Sequence, residues 1–474
     1  MNWTLALPEI VLALSGLAIL LAGVMQKRGQ AFFSCAMMTL LAFVVTGVLV
    51  VISPDGTGYS HVFINDGFAR FMKVLSLTGA ALSLVLSVGY AREMEIDKFE
   101  FPVLILFSTL GAMIMASSGN LMTLFVGLEL SSLSIYILCA FARDRVGAAE
   151  AGLKYFVLGS LASGILLYGI SLAYGFAGTL EYAGLQQAVR GSVVLPAGLM
   201  VGIVFVLVGL CFKLSMVPFH MWTPDVYQGA PTSVTAYMAG APKIAAFAVL
   251  LRVMAGPFGS MTPQWQLLIE VVSALSMVFG SLAAIPQGNI KRLMAYSSIG
   301  HMGYAMIGMA AGTAEGTRGT LVYLVTYLFM NVGAFAGIVA MRRNGRAVTR
   351  ISDLAGLGRT DPGMALAMAI FMFSMAGAPP LAGFFGKLMV FYAAINAHLY
   401  ALAAIGIVSS VIGAYYYIRI VKVMFFDTAV PALDRSPVSV SFVSVGMGLV
   451  TVFFVVGLGP VATAAQAAAS ALFR

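Results

Sequence analysis

Charge is scarce in this sequence. Only 9% of its 474 residues are Asp, Glu, Lys or Arg, where soluble domains carry roughly 25%. With 61% hydrophobic residues, there is too little polar surface to cover a globule in water. Cysteine is scarce too. Cys35, Cys139 and Cys211 all lie inside apolar stretches, without metal-ligand or redox spacing, and read as small buried hydrophobes. No phosphate-binding loop, dinucleotide fingerprint, Cys/His metal cluster or haem-attachment motif is present. The chain is therefore expected to hold no cofactor and no metal, so its energy must come from an ion gradient or from partner subunits. A basic stretch before the first apolar run is also missing, and Glu9 sits inside that run. The N-terminus thus reads as a first membrane helix and not a cleaved signal.

What the sequence has is long apolar runs. Runs of about 20 residues are helical membrane spans, whereas a membrane barrel would show segments of about ten residues of alternating polarity. The expected fold is an all-α polytopic membrane protein embedded in the lipid bilayer. The runs predict fourteen spans, near 4–25, 31–52, 67–90, 101–118, 120–142, 152–177, 194–219, 230–252, 265–285, 293–312, 318–341, 363–397, 399–425 and 437–460. Two should be broken helices. The run at 194–219 meets Pro218, and the run at 363–397 is too long for one straight span and contains Pro379, Pro380 and Gly383. The Ala-rich tail 461–474 is read as an extension of the last helix.

Lys and Arg are retained on the cytoplasmic side, so loop charges give an orientation. With the N-terminus outside, seventeen basic residues fall in inside loops, among them Lys27, Arg28, Lys154, Lys291, Arg292 and Arg342. Six fall in outside loops and ends: Arg70, Lys73, Arg190, Arg252, Arg318 and Arg474. The bias places both termini outside, on the periplasmic side of a bacterial inner membrane. The net charge of +8 is then a topology signal spread over several loops, and no nucleic-acid partner is expected. Of 26 basic residues, three are left over and lie within spans: Lys213, Lys243 and Lys387.

An ionisable group inside a span is costly and usually faces a bundle interior or a water-filled path. Glu129, in "LFVGLELSSL", is the only charge between Glu100 and Arg143. Its bland alternative is a protonated carboxyl bonded to a neighbouring helix. Lys213 precedes Pro218, and its alternative is an ammonium snorkelling to the headgroups. Lys243, in "YMAGAPKIAAF", lies too deep to snorkel, and its alternative is a structural ion pair. Lys387, in "PPLAGFFGKLMVF", repeats the pairing of lysine with broken helix. Broken backbone at membrane depth lines a cavity or is buried in protein, and breaks in two separated halves point to an ion path. His301 lies inside a span and His220 at the first break; each is as readily a satisfied hydrogen-bonding residue as a possible proton relay. Burial favours a neutral amine and a nearby carboxylate favours the ammonium. A Glu129–Lys213 pair would therefore switch the lysine's proton, although spacing does not show that the two touch.

"FKLSMVPFHMWTPDVYQGAPTSVTAYMAGAPKIAAF", residues 212 to 247, resembles the subunit N family of proton-pumping NADH:quinone oxidoreductase, respiratory complex I, in its bacterial form. The resemblance extends to "GLELSSLSIYIL", "NIKRLMAYSSIGHMGY", "YLFMNVGAF", "DLAGLGR" and "AGAPPLAGFFGK", and so spans most of the chain. It implies an antiporter-like fold of two inverted five-helix repeats, 101–255 and 256–430, flanked by three helices over 1–100 and a last helix and tail over 431–474. It implies that Lys213 and Lys387 are the broken-helix lysines, that Glu129 pairs with Lys213, and that Lys243 is central, with His301 between it and Lys387. No acid stands at the second-half position equivalent to Glu129. FMN, iron–sulfur clusters and quinone are expected in partner subunits, and other antiporter-like and small membrane subunits of complex I as neighbours. Three readings remain. They are a proton-translocating, non-redox subunit of that enzyme, a subunit of a cation/proton antiporter or membrane-bound hydrogenase of the same fold, and a scaffold.

Overall fold

The computed structural model describes residues 3–27, 29–92, 94–191 and 196–473. Arg28 and Arg474, counted above as loop charges, lie outside the described residues, as does the start of the run read at 194. The chain is helical almost throughout. Its helices are α1 (Leu7–Met25), α2 (Ala31–Ile52), α3 (Gly67–Ala91), α4 (Glu100–Ala116), α5 (Leu121–Cys139), α6 (Val146–Ala177), α7 (Tyr182–Gly191), α8 (Ala197–Lys213), α9 (Thr223–Gly229), α10 (Thr232–Ala239) and α11 (Ala241–Ala255). There follow α12 (Thr262–Ala284), α13 (Ile290–Ala310), α14 (Ala314–Ala340), α15 (Leu357–Thr360), α16 (Pro362–Ala376), α17 (Ala382–Asn396), α18 (Tyr400–Phe426), α19 (Val438–Val452) and α20 (Phe454–Leu472). Two short hairpins, Gly56–Gly58 with Phe63–Asn65 and Arg342–Arg343 with Arg346–Ala347, close loops at opposite ends of the bundle. Among the described residues, 10 helical stretches are long and apolar enough to cross a membrane, and five shorter apolar helices of 10–17 residues stand beside them. This is a multi-pass membrane protein.

The interior is unlike that of a soluble bundle because apolar surface faces both lipid and core. The burial gradient shows which helices are central. Thr232–Ala255 and Ala314–Ala340 are almost wholly enclosed, while α1, α2, α6, α12 and α18 bury little more than one face. Close approach replaces the hydrophobic drive that lipid removes. A Cβ on Gly111 of α4 would stand 2.5 Å from the Gly127 carbonyl oxygen of α5, and one on Gly280 of α12 would stand 2.7 Å from the Gly300 nitrogen of α13. Backbones that near admit only glycine.

Both expected breaks are present. α8 stops at Lys213, and the chain runs through Ser215, in the left-handed region, and Pro218 before α9 begins. The 363–397 run divides into α16 and α17, with Gly377 left-handed at the end of α16 and Pro379 and Pro380 in the gap. Two further divisions depart from the sequence reading. The 230–252 run is not continuous, since α10 ends and α11 begins at Gly240. Pro242 next to it cannot supply the N–H that a continuous helix needs. The last run, 437–460, also divides, at Phe453, and its second piece continues to Leu472. The tail is thus part of a helix in its own right.

Candidate functional site

Polar side chains form a file through the middle of the bundle, on helices that are otherwise apolar. At one end, α5 carries Glu129, Ser132 and Tyr136, spaced three and seven residues apart and so on one helical face. Ser163 of α6 donates to the Glu129 carboxylate. The Lys213 amine, brought in by the end of α8, donates to Ser132 Oγ at 2.7 Å and to Tyr136 OH at 3.2 Å. It stands 5.3 Å from the centre of the Tyr136 ring and 5.6 Å from that of Tyr155. The expected direct pairing of Glu129 with Lys213 is therefore not what the structure shows. The lysine is held by two hydroxyls of α5, and the carboxylate, one turn away, is within Coulombic range but engaged by Ser163. One physical reason is that α8 ends at Lys213, so its amine meets α5 a turn beyond Glu129.

Lys243 lies at the first turn of α11, just after the division at Gly240, and is 1% exposed. Its amine donates to Ser298 Oγ of α13 at 2.8 Å, and Ser298 is 2.6 Å from Tyr327 OH of α14. The Tyr227 ring centre is 5.5 Å away. Among the described residues no carboxylate pairs with it, so the structural ion pair weighed above is absent. His301, one turn beyond Ser298, is bracketed by hydroxyls. Its Nδ1 is 2.6 Å from Tyr323 OH, its Nε2 is 3.0 Å from Tyr417 OH, and Tyr417 reaches Ser297 Oγ at 2.5 Å. Lys387 ends the file. It donates to the carbonyl oxygens of Met375 and Ala376, each at 3.0 Å, and to Ser410 Oγ at 2.7 Å, and stands 4.8 Å from the centre of the Tyr304 ring. Those carbonyls are free because α16 stops there. The break itself thus supplies the acceptors, as backbone left open at membrane depth must find partners.

His220 does not join this file. It is half-buried against the Phe279 ring, and its Nδ1 is buried without a hydrogen-bond partner among the described residues. The sequence reading missed the hydroxyls. Ser132, Tyr136, Ser298, Tyr323, Tyr327, Tyr417 and Ser410 are ordinary in composition, and only the three-and-seven spacing from Glu129 hinted at one of the sets. It also misplaced two lysines counted as loop residues. Lys73 is fully buried in α3, with its amine 2.7 Å from the Glu9 carboxylate of α1. Lys291 is buried at the start of α13 and bonds the carbonyls of Gln228 and Ala230. Outside the spans, Asp66 caps α3 through Ala69 N and accepts from the two terminal guanidinium nitrogens of Arg252, at 2.9 and 2.8 Å. Burial pushes the Asp66 carboxyl up, and Arg252 more than offsets this, leaving it below the ordinary carboxylate value. Asp225 of α9 is held by Lys154 and Arg292 at 2.8 and 2.6 Å. The bond from Lys154, foremost, lowers its carboxyl.

Comparison with known proteins places this arrangement. A family described as NADH:quinone oxidoreductase/Mrp antiporter, transmembrane, matches residues 118–413. The NADH-quinone oxidoreductase subunit N of Gluconacetobacter diazotrophicus is 76% identical, with 100% of each chain covered. That of Rhodospirillum rubrum is 54% identical over 98% of this chain and 97% of the relative. A chain of respiratory complex I from Thermus thermophilus superposes with a TM-score of 0.83 at 33% identity, covering 97% of this chain and 99% of the other. A chain of the Mrp complex from a Dietzia species superposes at 0.87 with 23% identity, covering 100% and 98%, a likeness of fold alone. By sequence match and by structure, this chain belongs to the NADH:quinone oxidoreductase/Mrp antiporter family of membrane proteins.

Proposed function

We propose that the chain is a proton-translocating, non-redox subunit of a bacterial NADH:quinone oxidoreductase, of the subunit N type. Redox chemistry would take place in partner subunits carrying FMN, iron–sulfur clusters and quinone. The observation that carries this reading is the file from Lys213 through Lys243 to Lys387, in which each amine faces hydroxyls or carbonyls and none of the three is locked to a carboxylate among the described residues. A permanent ion pair would hold its proton. An ammonium facing a neutral hydroxyl can release one, become an amine and accept the next. A hydroxyl passes a proton by taking one on a lone pair while releasing its own. Glu129, one turn from Lys213, is the charge that favours loading of that end.

The wider architecture follows from the same reading. α8 with the stretch to Pro218 counts as one crossing, with α9 lying beyond its end, and α10–α11, α16–α17 and α19–α20 each count as one divided crossing, giving fourteen, with both termini periplasmic. Support for two repeats comes from matched features. Gly111 and Gly127 join α4 to α5 as Gly280 and Gly300 join α12 to α13. Lys213 lies by the Tyr136 ring as Lys387 lies by that of Tyr304. Counting back seven residues from each tyrosine gives Glu129 in one half and Ser297 in the other. The carboxylate is thus replaced by a hydroxyl, which Tyr417 occupies. Partners would be the neighbouring membrane subunits of the complex. The deciding experiment is Lys243→Ala in the assembled complex in membrane vesicles. NADH-driven proton uptake should fall about tenfold or more; uptake at the wild-type level refutes the relay.

A further inference from the structure

Lys291 is a buried cation that the relay just described does not use. It lines a cavity of about 140 Å³ together with Tyr90, Arg145, Gln228, Thr232 and Thr349, on the basic-loop face of the molecule. Arg145 and Thr349 belong to loops there, and the volume has room for several water molecules. The amine donates to Ala230 O at 2.5 Å and Gln228 O at 3.1 Å, across the join of α9 and α10. Among the described residues no carboxylate pairs with it. The nearest such group on α9, Asp225, is taken by Lys154 and Arg292. The other titratable groups facing it are the Cys139 thiol from α5, Arg145 ahead of α6, and Tyr90 from α3.

Two short routes lead from Lys291 to Lys243. Along α13, Lys291 and Ser298 lie seven residues apart on one face, about 10.5 Å, and Ser298 accepts from Lys243. Along α9, the Gln228 carbonyl that Lys291 holds is next in sequence to Tyr227, whose ring centre is 5.5 Å from the Lys243 amine. The hydroxyls of Thr223 and Ser233, on either side of this join, are buried without a partner among the described residues, and such groups are suited to hold water.

We infer that Lys291 is the loading group for Lys243, taking a proton from the cavity on the basic-loop face and passing it inward toward the central lysine. The inference rests on the relay proposed above. The proton leaves the Lys291 ammonium, which becomes a neutral amine, and travels by way of hydroxyls or water to the neutral Lys243 amine; Lys291 then reloads from the cavity.

The test uses the whole complex in membrane vesicles, with wild-type, Lys291→Gln, Lys291→Arg and Lys291→His chains, reading NADH-driven proton uptake per NADH oxidised across pH. The Gln and Arg variants should lose about tenfold of the uptake, because neither side chain exchanges a proton. The His variant should recover part of it with its optimum moved to lower pH. Arg keeps the charge and the donors to both carbonyls, so a mere anchor would be rescued by it. Wild-type uptake in Lys291→Arg, or an unmoved pH profile in Lys291→His, overturns the inference. If the Gln variant does not assemble, the Arg and His variants decide. Lys243→Ala in parallel separates the two ideas. Wild-type uptake there sinks the relay, whereas impaired uptake there with normal Lys291→Arg sinks the loading role alone.

Discussion

At the scale of single residues, a buried charge and its partner must be considered together. Lys73 and Glu9 are 0% and 7% exposed and 2.7 Å apart. Removing one partner strands the other, which typically costs about 3–5 kcal/mol, whereas replacing both with apolar side chains of similar size costs much less. Lys73→Met should therefore lower the yield of assembled complex, and Lys73→Met with Glu9→Leu should restore most of it, read by native gel and thermal stability. The file obeys a different rule because its amines are met by hydroxyls. Ser132→Ala with Tyr136→Phe would leave Lys213 without its two side-chain acceptors. Coupled uptake should fall several-fold, while assembly, which rests on apolar packing, should change little. Glu129→Gln keeps a partner for Ser163 and removes the charge, so it isolates the electrostatic part. A fully active Gln variant would count against Glu129 as the loading charge.

At the scale of elements, the breaks position the chemistry. Gly383 opens α17 where a Cβ would stand 1.9 Å from the Ser374 carbonyl oxygen. Gly383→Val should push α17 away from α16, draw Lys387 off the Met375 and Ala376 carbonyls, and abolish uptake; retained uptake would show that the break tolerates spreading. The Asp66–Arg252 pair joins α3 to α11, the helix that bears Lys243. The Asp66 carboxyl is held below the ordinary value of 3.8. A lowered carboxylate contributes stability that is fully present above its unfolded value and is lost as pH falls through the folded one. The outer end of α11 should thus stay closed at neutral pH and loosen only below about pH 4. Labelling of a cysteine placed at Gly256 should rise in that window, and in Asp66→Asn it should be high at every pH.

Across the whole molecule, legibility in the sequence followed contrast. Lys213, Lys243 and Lys387 interrupt long apolar runs and were visible as charges that no loop accounts for. Lys73 and Lys291 stand within a turn or two of run ends, so hydropathy placed them with the loops, and only packing shows that neighbouring helices cover them. The breaks at Pro218 and Pro379–Pro380 were legible because proline removes a donor. The divisions at Gly240 and Phe453 were not: Pro242 also removes a donor at the first, but the run stays long enough for one span, and neither proline nor glycine stands at the second. The hydroxyls were hidden by their abundance, and a tyrosine in a span shows nothing until its neighbour is known. Their presence on both sides of His301 carries a consequence for turnover. On the proposed relay, a proton crossing the bonded steps Ser298–Tyr327 and Tyr323–His301–Tyr417 leaves each O–H that took part pointing backwards. The next proton must wait until every one has rotated. On that relay, each transfer is thus followed by a reset, in which buried hydroxyls turn back before they can pass another proton.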